Sequence, residues 1–353
     1  MKKWKSAALA VTSLLTLSSL MMASGPVMAK TAAHKATSHK LASHANFKVG
    51  LVTDTGGLND HSFNHLAYVG LEAAKAKYGI TVSVVQSQQT SDYVPNLSTY
   101  AQAGYNMVIA VGYLMDSAVQ KVSKEYPNTK FFIIDDAITN RPNVMSAIYD
   151  TQQCGYLVGV MAGLMNQQKH IKQINGKNVV GMVGGQDIPP VESYMAGFQA
   201  GVKKVDPKAT VLIDWANSFT DPGLGKEDAL SLISRGADIV FPVAGATGTG
   251  VIEAAKQKNI FAIGVDANQN YLAPKNVMTS ALKGVDVSTE IAIADALTNH
   301  FKSGVQYFNL KNHGVGFAPP IAAVPKAIRK KVESFIPLIN SGKINPPSML
   351  SSH

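Results

Sequence analysis

The order of strand-like and helix-like segments is the feature that most restricts the fold of this chain. From residue 47 onward, short runs rich in β-branched residues alternate with amphipathic segments of helical period. Such alternation is typical of a parallel sheet covered by helices on both faces, so the sequence predicts an α/β protein. The predicted strands are Lys48–Thr53, Thr81–Gln86, Met107–Val111, Lys130–Ile134, Val144–Tyr149, Val179–Val183, Thr210–Ile213, Ile239–Val243, Ile260–Val265 and Val277–Ala281.

Ten strands are more than one ordinary sheet carries, and this number together with the length predicts two lobes. The break between them is expected near Tyr149–Gln153, because four strand–helix steps precede it and four or five follow. The predicted helices are Leu66–Tyr78, Val119–Tyr126, Tyr156–Asn166, Tyr194–Val205, Ala229–Arg235, Val251–Gln257 and Val287–Phe301.

Residues 1–29 have the pattern of a secretory signal peptide. Three lysines within the first five residues precede an apolar run, and Val27-Met28-Ala29 has the small-residue form of a cleavage site. We therefore expect an exported protein that begins near Lys30. Residues 30–45 contain Lys, His, Ala, Ser and Thr with almost nothing to bury, which predicts a disordered cationic linker.

The net charge of +9 belongs mainly to this N-terminal part of the chain. Six of the 32 Lys and Arg residues lie in residues 1–45, which leaves 26 basic against 23 acidic residues in the remainder. A balance of +3 is not the footprint of a nucleic-acid-binding protein. The linker histidines His34, His39 and His44 become charged below about pH 6.5, so the linker is expected to contact an anionic cell wall or lipid head groups.

No motif in the sequence supports catalysis, a cofactor or a metal site. The single cysteine, Cys154, can form no intrachain disulfide, and it is expected to pack as a small hydrophobic residue. His61 and His65 share a helix face but lack the glutamate and the third ligand of a zinc site. The chain has neither a phosphate-binding P-loop nor the serine elbow of hydrolases. We therefore predict a binding protein rather than an enzyme.

Acidic residues follow several of the predicted strands. Asp54 ends the first strand, Asp135 with Asp136 ends another, Asp266 ends a later one, and Asp116 lies one loop beyond Val111. Ligands of open parallel sheets bind at those carboxyl ends. A strand-end Asp is often an ordinary helix N-cap, but several at one sheet edge predict acceptors for hydroxyl and N–H groups of a ligand.

Aromatic residues occupy equivalent loops of the two predicted halves. Phe63 begins the helix after Asp54, where Asp60 or Ser62 can cap the helix, and Phe219 lies in the corresponding loop of the second half. On position alone, Phe63 is equally compatible with a place in the core. A pair of rings, one from each lobe, instead predicts a planar ligand held between them.

At these residues the sequence resembles the basic membrane protein family of ABC-transporter substrate-binding proteins, whose best understood members are purine nucleoside receptors. The likeness runs from about Phe47 to Phe317. The segments that show this resemblance are 49–57, 60–64, 184–185, 197–202, 218–222, 244–251, 263–269 and 280–283.

The resemblance implies a type I periplasmic-binding-protein fold, with two doubly wound lobes joined by three crossovers. Lobe 1 would comprise residues 46–149 and 267–303, and lobe 2 would comprise residues 150–266 and 304–345. The ligands would be purine nucleosides (inosine, guanosine or adenosine), delivered to an ABC permease.

The resemblance also implies roles for individual residues. Phe63 and Phe219 would sandwich the base, while Asn64 and Asp135 would hydrogen-bond its edge. The ribose site would consist of Asp54, Asp266, Lys283 and the Gly245 loop.

Two departures from the family pattern leave alternatives open. Family members usually carry a lipid-anchoring cysteine after the signal peptide, whereas here no cysteine precedes Cys154, so we expect a protein without a lipid anchor. His61 stands where the family commonly has Lys. A receptor for a sugar or another small polar ligand, and a surface or adhesion protein that retains the binding fold, are the alternative interpretations.

Overall fold

The computed structural model describes residues 44–350, which contain two six-stranded sheets. The predicted signal peptide, and the predicted linker up to residue 43, lie outside the described residues. The last two linker residues belong to the folded part. The His44 amide donates to the Tyr78 carbonyl, and the Thr81 hydroxyl donates to the Ala45 carbonyl.

The first sheet is parallel throughout and has the order β11–β5–β4–β3–β1–β2. It consists of β1 (Lys48–Thr53), β2 (Thr81–Gln86), β3 (Met107–Val111), β4 (Lys130–Ile134), β5 (Val144–Tyr149) and β11 (Gly304–Phe308). The strands β1 and β3 are completely buried except at Lys48, which agrees with a sheet covered on both faces.

The second sheet has the order β12–β10–β9–β8–β6–β7, in which β12 alone is antiparallel. Its strands are β6 (Val179–Gly184), β7 (Thr210–Trp215), β8 (Ala237–Val243), β9 (Phe261–Asp266), β10 (Val277–Lys283) and β12 (Val315–Phe317). In each sheet the order in which successive strands are added reverses once. The reversal lies between β1 and β3 in the first sheet and between β6 and β8 in the second. Those two switch points are where open α/β sheets bind ligands.

Helices cover the faces of both sheets. They are α1 (Phe63–Tyr78), α2 (Tyr93–Gln102), α3 (Asp116–Glu125), α4 (Thr151–Asn166), α5 (Pro189–Val205), α6 (Pro222–Ser234), α7 (Thr247–Lys258), α8 (Val285–Leu297), α9 (Lys326–Glu333) and α10 (Ile336–Asn340). Within the described part of the chain, no helix is long and apolar enough to cross a lipid bilayer.

The fold class predicted from the sequence is confirmed: two α/β lobes form a type I periplasmic-binding-protein fold. All ten predicted strands are present. The strands β11 and β12 and the helices α2, α9 and α10 were not predicted.

The chain crosses between the lobes at other points than we expected. Strand β10 pairs with β9, so residues 277–283 belong to the second sheet and not to lobe 1. Strand β11 pairs with β5, so residues 304–308 belong to the first sheet and not to lobe 2. The crossovers therefore follow β5, β10 and β11, and the expected ranges 267–303 and 304–345 are wrong at these strands.

Glycines allow α4 and α5 to approach each other at backbone distance. Gly155, Gly159 and Gly163 lie on α4, and Gly197 and Gly201 lie on α5. A Cβ atom on Gly159 would lie 2.2 Å from the Phe198 carbonyl oxygen, and one on Gly201 would lie 2.1 Å from the Tyr156 carbonyl oxygen. The two helices can therefore pack only because these positions lack a side chain.

We predict that Gly159→Ala lowers the free energy of unfolding by about 1–3 kcal/mol, because the added methyl group forces the helices apart. The measurement is urea unfolding followed by circular dichroism. Gly316→Ala is the matched control, since a Cβ there meets no atom within 4 Å. Equal stability of the two variants would contradict the close-packing argument.

Candidate functional site

A cavity lies between the lobes at the carboxyl ends of both sheets and contains about 570 Å³ of space free of protein atoms, part of it open to solvent. All the site residues predicted from the sequence line it: Asp54, Phe63, Asn64, Asp135, Phe219, Gly245, Asp266 and Lys283. The cavity also reaches both switch points, through Gly112 after β3 and Ala244 after β8. The location is the one that the topology of open sheets favours.

Asp54 follows β1 and is almost completely buried. Its Oδ1 atom accepts hydrogen bonds from the Gly56 amide (2.8 Å) and from Asn64 Nδ2 (2.8 Å). Burial raises the pKa of Asp54 from its usual 3.8 to about 6, although both hydrogen bonds oppose the shift. Its Oδ2 atom lies beside Gly112, where a Cβ would approach to 3.0 Å. This oxygen is free to accept from a ligand.

Asp60 organises the turn that brings Phe63 and Asn64 to the cavity. Its carboxylate accepts from the backbone amides of Ser62, Asn64 and His65, so it caps the start of α1. It also accepts from Asn64 Nδ2 at 3.2 Å. Burial raises the pKa of Asp60 against the effect of these bonds.

The Asn64 amide is fixed by two carboxylates, because its nitrogen donates to both Asp54 and Asp60. Its Oδ1 atom is buried and has no hydrogen-bond partner. A buried acceptor without a donor costs free energy, so this atom offers a place for an N–H or O–H group of a ligand.

Asp266 ends β9 with a left-handed backbone, at a φ of 59°. Ser62 Oγ donates to its Oδ2 atom at 2.6 Å, and the Tyr194 hydroxyl donates to its Oδ1 atom at 2.8 Å. Ser62 belongs to lobe 1 and Asp266 to lobe 2, so the first of these bonds joins the lobes.

Lys283 forms the second buried link between the lobes. Its ammonium group pairs with Asp135 Oδ2, and both side chains are at most 8% exposed. It also lies 4.6 Å from the ring centre of Phe63 and 4.9 Å from that of Tyr149. Burial raises the pKa of Asp135, while Lys283 lowers it. The ammonium is therefore held by one carboxylate and the faces of two rings.

Phe63 and Phe219 both line the cavity, one from each lobe. The ring of Phe219 fits there because two of its neighbours are glycines. A Cβ on Gly185 would lie 2.3 Å from Phe219 Cε1, and Gly245 has a left-handed φ of 54° with its Cα close to the Phe219 backbone. The Gly-rich turns after β6 and β8 thus make room for the second aromatic ring.

Asp135 faces the cavity and its neighbour Asp136 does not. Asp136 instead pairs with Asp116, which also accepts from Gln120. Burial and the neighbouring Asp116 carboxyl raise the pKa of Asp136 to about 7. Asp116, which we considered at the strand-end edge, therefore belongs to a separate carboxyl pair.

Sequence reasoning missed three polar residues of the cavity wall, Asp60, Tyr113 and Tyr194, as lining groups. Asp60 was considered only as a helix cap, and it is that as well. Tyr194 lies on α5, away from any strand end. A search for residues that directly follow the strands therefore does not find it. Its hydroxyl bond to Asp266 depends on the packing of α5.

A further set of contacts joins the lobes beside the cavity. The Tyr271 hydroxyl lies 3.0 Å from His61 Nδ1, with the two rings edge to face. The Gln269 amide donates to the His61 carbonyl at 3.1 Å. His61, where the sequence departs from the family pattern, is thus a cross-lobe contact residue.

The described residues contain no group of three or more His, Cys, Asp or Glu side chains that could hold a metal ion. Cys154 is buried, and burial raises the pKa of its thiol. The arrangement offers acceptors, two rings and one cation, which are the components of a binding site for a polar planar ligand.

A family model described as ABC transporter substrate-binding protein PnrA-like matches residues 47–347. A relative from Lactococcus lactis, named as the ABC transporter nucleoside-binding protein BmpA, is 30% identical over 95% of this chain and 98% of its own length. A relative from Listeria monocytogenes, named as a CD4+ T-cell-stimulating antigen, is 34% identical over 86% of this chain and 89% of its own length. The crystal structure of an ABC transporter solute-binding protein from Aeropyrum pernix superimposes with a TM-score of 0.79 and 26% identity, over 85% of this chain and 94% of that one.

We predict that Asp54→Asn stabilises the protein above pH 6. The folded protein binds the Asp54 proton more tightly than the unfolded chain does, so the free energy of unfolding falls as the pH rises from about 4 to about 6. Asn keeps an oxygen for the Gly56 and Asn64 donors and removes the buried charge. At pH 8 the gain should be up to about 3 kcal/mol, and it should shrink towards pH 4.

Thermal unfolding at pH 8 and pH 4.5 measures this difference. Asp187→Asn, which removes one exposed carboxylate, controls for the change in net charge. A gain that is the same at both pH values would show that burial of the charge is not its cause.

We predict that Lys283→Met lowers the free energy of unfolding at pH 8 by about 3–5 kcal/mol, because it leaves the buried Asp135 carboxylate without its partner. Adding Asp135→Asn to this variant should recover most of the loss. Guanidinium unfolding of both variants measures the effect. Equal losses in the single and double variants would contradict a role for the pair.

Proposed function

This chain belongs to the PnrA-like family of ABC transporter substrate-binding proteins, and from that premise we propose that it binds a purine nucleoside in the cleft and delivers it to an ABC permease. The observation that carries the proposal is the composition of the cavity wall. The wall contains aromatic and apolar side chains, among them Phe63, Phe219 and Val191, together with the carboxylates of Asp54 and Asp266. A nucleoside has two matching parts, a flat base and a polyhydroxyl sugar.

The aromatic side chains suit the base. Phe63 and Phe219 come from opposite lobes, so closure of the lobes on a planar ring brings both into contact with it. Asp135 keeps its Oδ1 atom available when Lys283 occupies Oδ2, and Asn64 Oδ1 has no partner. Two acceptors of this kind match the N–H groups at the edge of inosine or guanosine and the amino group of adenosine.

The carboxylates of Asp54 and Asp266 suit the ribose. Asp54 Oδ2 is free, and each oxygen of Asp266 accepts one hydrogen bond and retains capacity for another. Vicinal hydroxyls can donate to these oxygens, while Lys283 and the Gly245 turn complete the sugar site. Nucleotides should be rejected, because a phosphate would meet several carboxylates in a poorly solvated cleft.

Three crossovers, after β5, β10 and β11, connect the lobes and allow hinge motion. A ligand that contacts both lobes binds the closed form more tightly than the open form, and so shifts the population towards it. The closed, loaded form is the signal that an ABC permease recognises. We place this receptor outside the cell, where its family operates.

A sugar receptor is the competing interpretation within the same fold. A sugar ring is saturated and carries hydroxyl groups all round its edge, so it makes less use than a flat base of two aromatic rings together with the apolar side chains Leu114, Ile188 and Val191. The wall composition therefore favours a ligand with a base.

The test is a titration of the chain that begins at His44, which retains every described strand and helix and has Trp215 as its single tryptophan. Trp215 ends β7 four residues before Phe219, and its ring packs on Gly184. Its fluorescence and the melting temperature are followed with inosine, guanosine, adenosine, uridine, adenine and ribose. We expect a saturable change with purine nucleosides and little with uridine, adenine or ribose.

Phe63→Ala should abolish the response, because it removes one of the two rings. Tyr307→Ala is the matched control, since Tyr307 is 61% exposed and lies outside the cavity wall. A response to ribose that survives Phe63→Ala would support the sugar receptor. The absence of any response to nucleosides would overturn the proposal.

A further inference from the structure

Positive charge is concentrated in the last part of the described chain. Residues 301–350 contain seven Lys and Arg residues and one acidic residue, Glu333, whereas residues 44–300 contain 19 basic and 22 acidic residues. The net charge is therefore +6 in residues 301–350 and −3 in residues 44–300. Such segregation of charge indicates a surface with a specific partner.

Most of this charge lies on or next to α9 in lobe 2. The lysine face, as we name it, consists of Lys326, Lys330 and Lys331 on α9, all of them exposed. No ion pair among the described residues involves any of the three. Lys331 has its ammonium group 5.4 Å from the Phe335 ring.

The placement of these lysines opposes the stability of α9. Lys326 is the first residue of the helix, where the helix dipole favours acidic residues, and the first turn contains none. Lys326 and Lys330 are also four residues apart, so two like charges face each other on the helix surface. The local stability of α9 therefore does not account for these lysines.

The lysine face is suited to a purely electrostatic contact. Ile328 and Val332, the apolar residues of α9, are buried against the lobe, and α9 packs on α4. The helix therefore has no apolar side chain to insert into a lipid phase and no aromatic residue on which a nucleic-acid base can stack. Lysine ammonium groups are compact, hydrated charges that attract phosphate without bidentate geometry.

We propose that the lysine face is a docking surface for the anionic phospholipid head groups of a membrane. The choice of lipid over another polyanion rests on the proposed function, because the permease of an ABC importer is embedded in a membrane. Weak attraction at this face holds lobe 2 near the membrane and leaves hinge motion free.

The experiment is co-sedimentation of the chain that begins at His44 with vesicles of phosphatidylglycerol and phosphatidylcholine, at low salt. This chain lacks the lysines of residues 1–43, so any binding belongs to the folded part. We expect binding that grows with the phosphatidylglycerol content, is absent with phosphatidylcholine alone, and is lost at 0.5 M salt, where the screening length falls to about 4 Å.

The variant Lys326→Gln/Lys330→Gln/Lys331→Gln should bind roughly 100-fold more weakly, because each lysine near an anionic bilayer contributes about a fivefold gain. The control Lys121→Gln/Lys124→Gln/Lys172→Gln removes the same charge from exposed, unpaired lysines elsewhere and should bind normally. Neither variant should melt below the parent chain, and the α9 variant should melt at the same or a slightly higher temperature, because it removes the unfavourable charges of that helix.

Equal losses in the two variants would overturn the proposal, since binding would then follow net charge and not this face. Binding to soluble polyphosphate without binding to vesicles would also overturn it. The nucleoside titration separates this outcome from the proposed function. The α9 variant should respond to nucleosides as the parent does if both proposals hold, and loss of lipid binding alone leaves the receptor assignment intact.

Discussion

The cleft keeps four carboxylates close to a single ammonium group, with little water to screen them. Each carboxylate is therefore tied to specific donors: backbone amides for Asp60, an amide and Asn64 for Asp54, two hydroxyls for Asp266, and Lys283 for Asp135. Desolvation still dominates at Asp54, whose pKa rises to about 6. The loops after the strands are shaped by this requirement, and Asp135 and Asp266 adopt left-handed backbone conformations to meet it. A binding site with unused acceptors is the result.

The sequence predicted the ten main strands because most of them are buried on both faces and are therefore largely apolar runs, while the edge strands β2 and β7 are rich in β-branched residues. It did not predict β11, which is short and half exposed and gains its identity only by pairing with β5, more than 150 residues earlier. The same long-range pairing moved one lobe boundary, and the pairing of β10 with β9 moved the other. The strand-end rule found the side chains that gather in the cavity, but not Tyr194, whose place depends on how α5 packs. The roles of these residues towards a ligand stay predictions, because a pattern of acceptors does not specify which donor they meet.

Contacts between the lobes are of two kinds. Ser62 with Asp266 and Lys283 with Asp135 are buried at the cavity, whereas His61 with Tyr271 is exposed beside it. The buried pairs use the same carboxylates that are free to accept from a ligand. Under the proposed function, lobe closure and ligand binding would therefore depend on one set of carboxylates, and occupancy of the cleft would then influence the relative position of the lobes.

The path of the chain also determines the order in which the lobes can form. Strand β11 and helix α8 complete the first lobe, but they are made after β6 to β10 and α4 to α7 of the second lobe. Until residue 308 is available, β5 has an unpaired edge and α1 lacks the helix that covers it. The N-terminal half of the chain therefore keeps an unpaired strand edge, a feature that favours aggregation, until most of the remaining chain has been made. The lobe that is begun first cannot be completed before most of the other lobe exists.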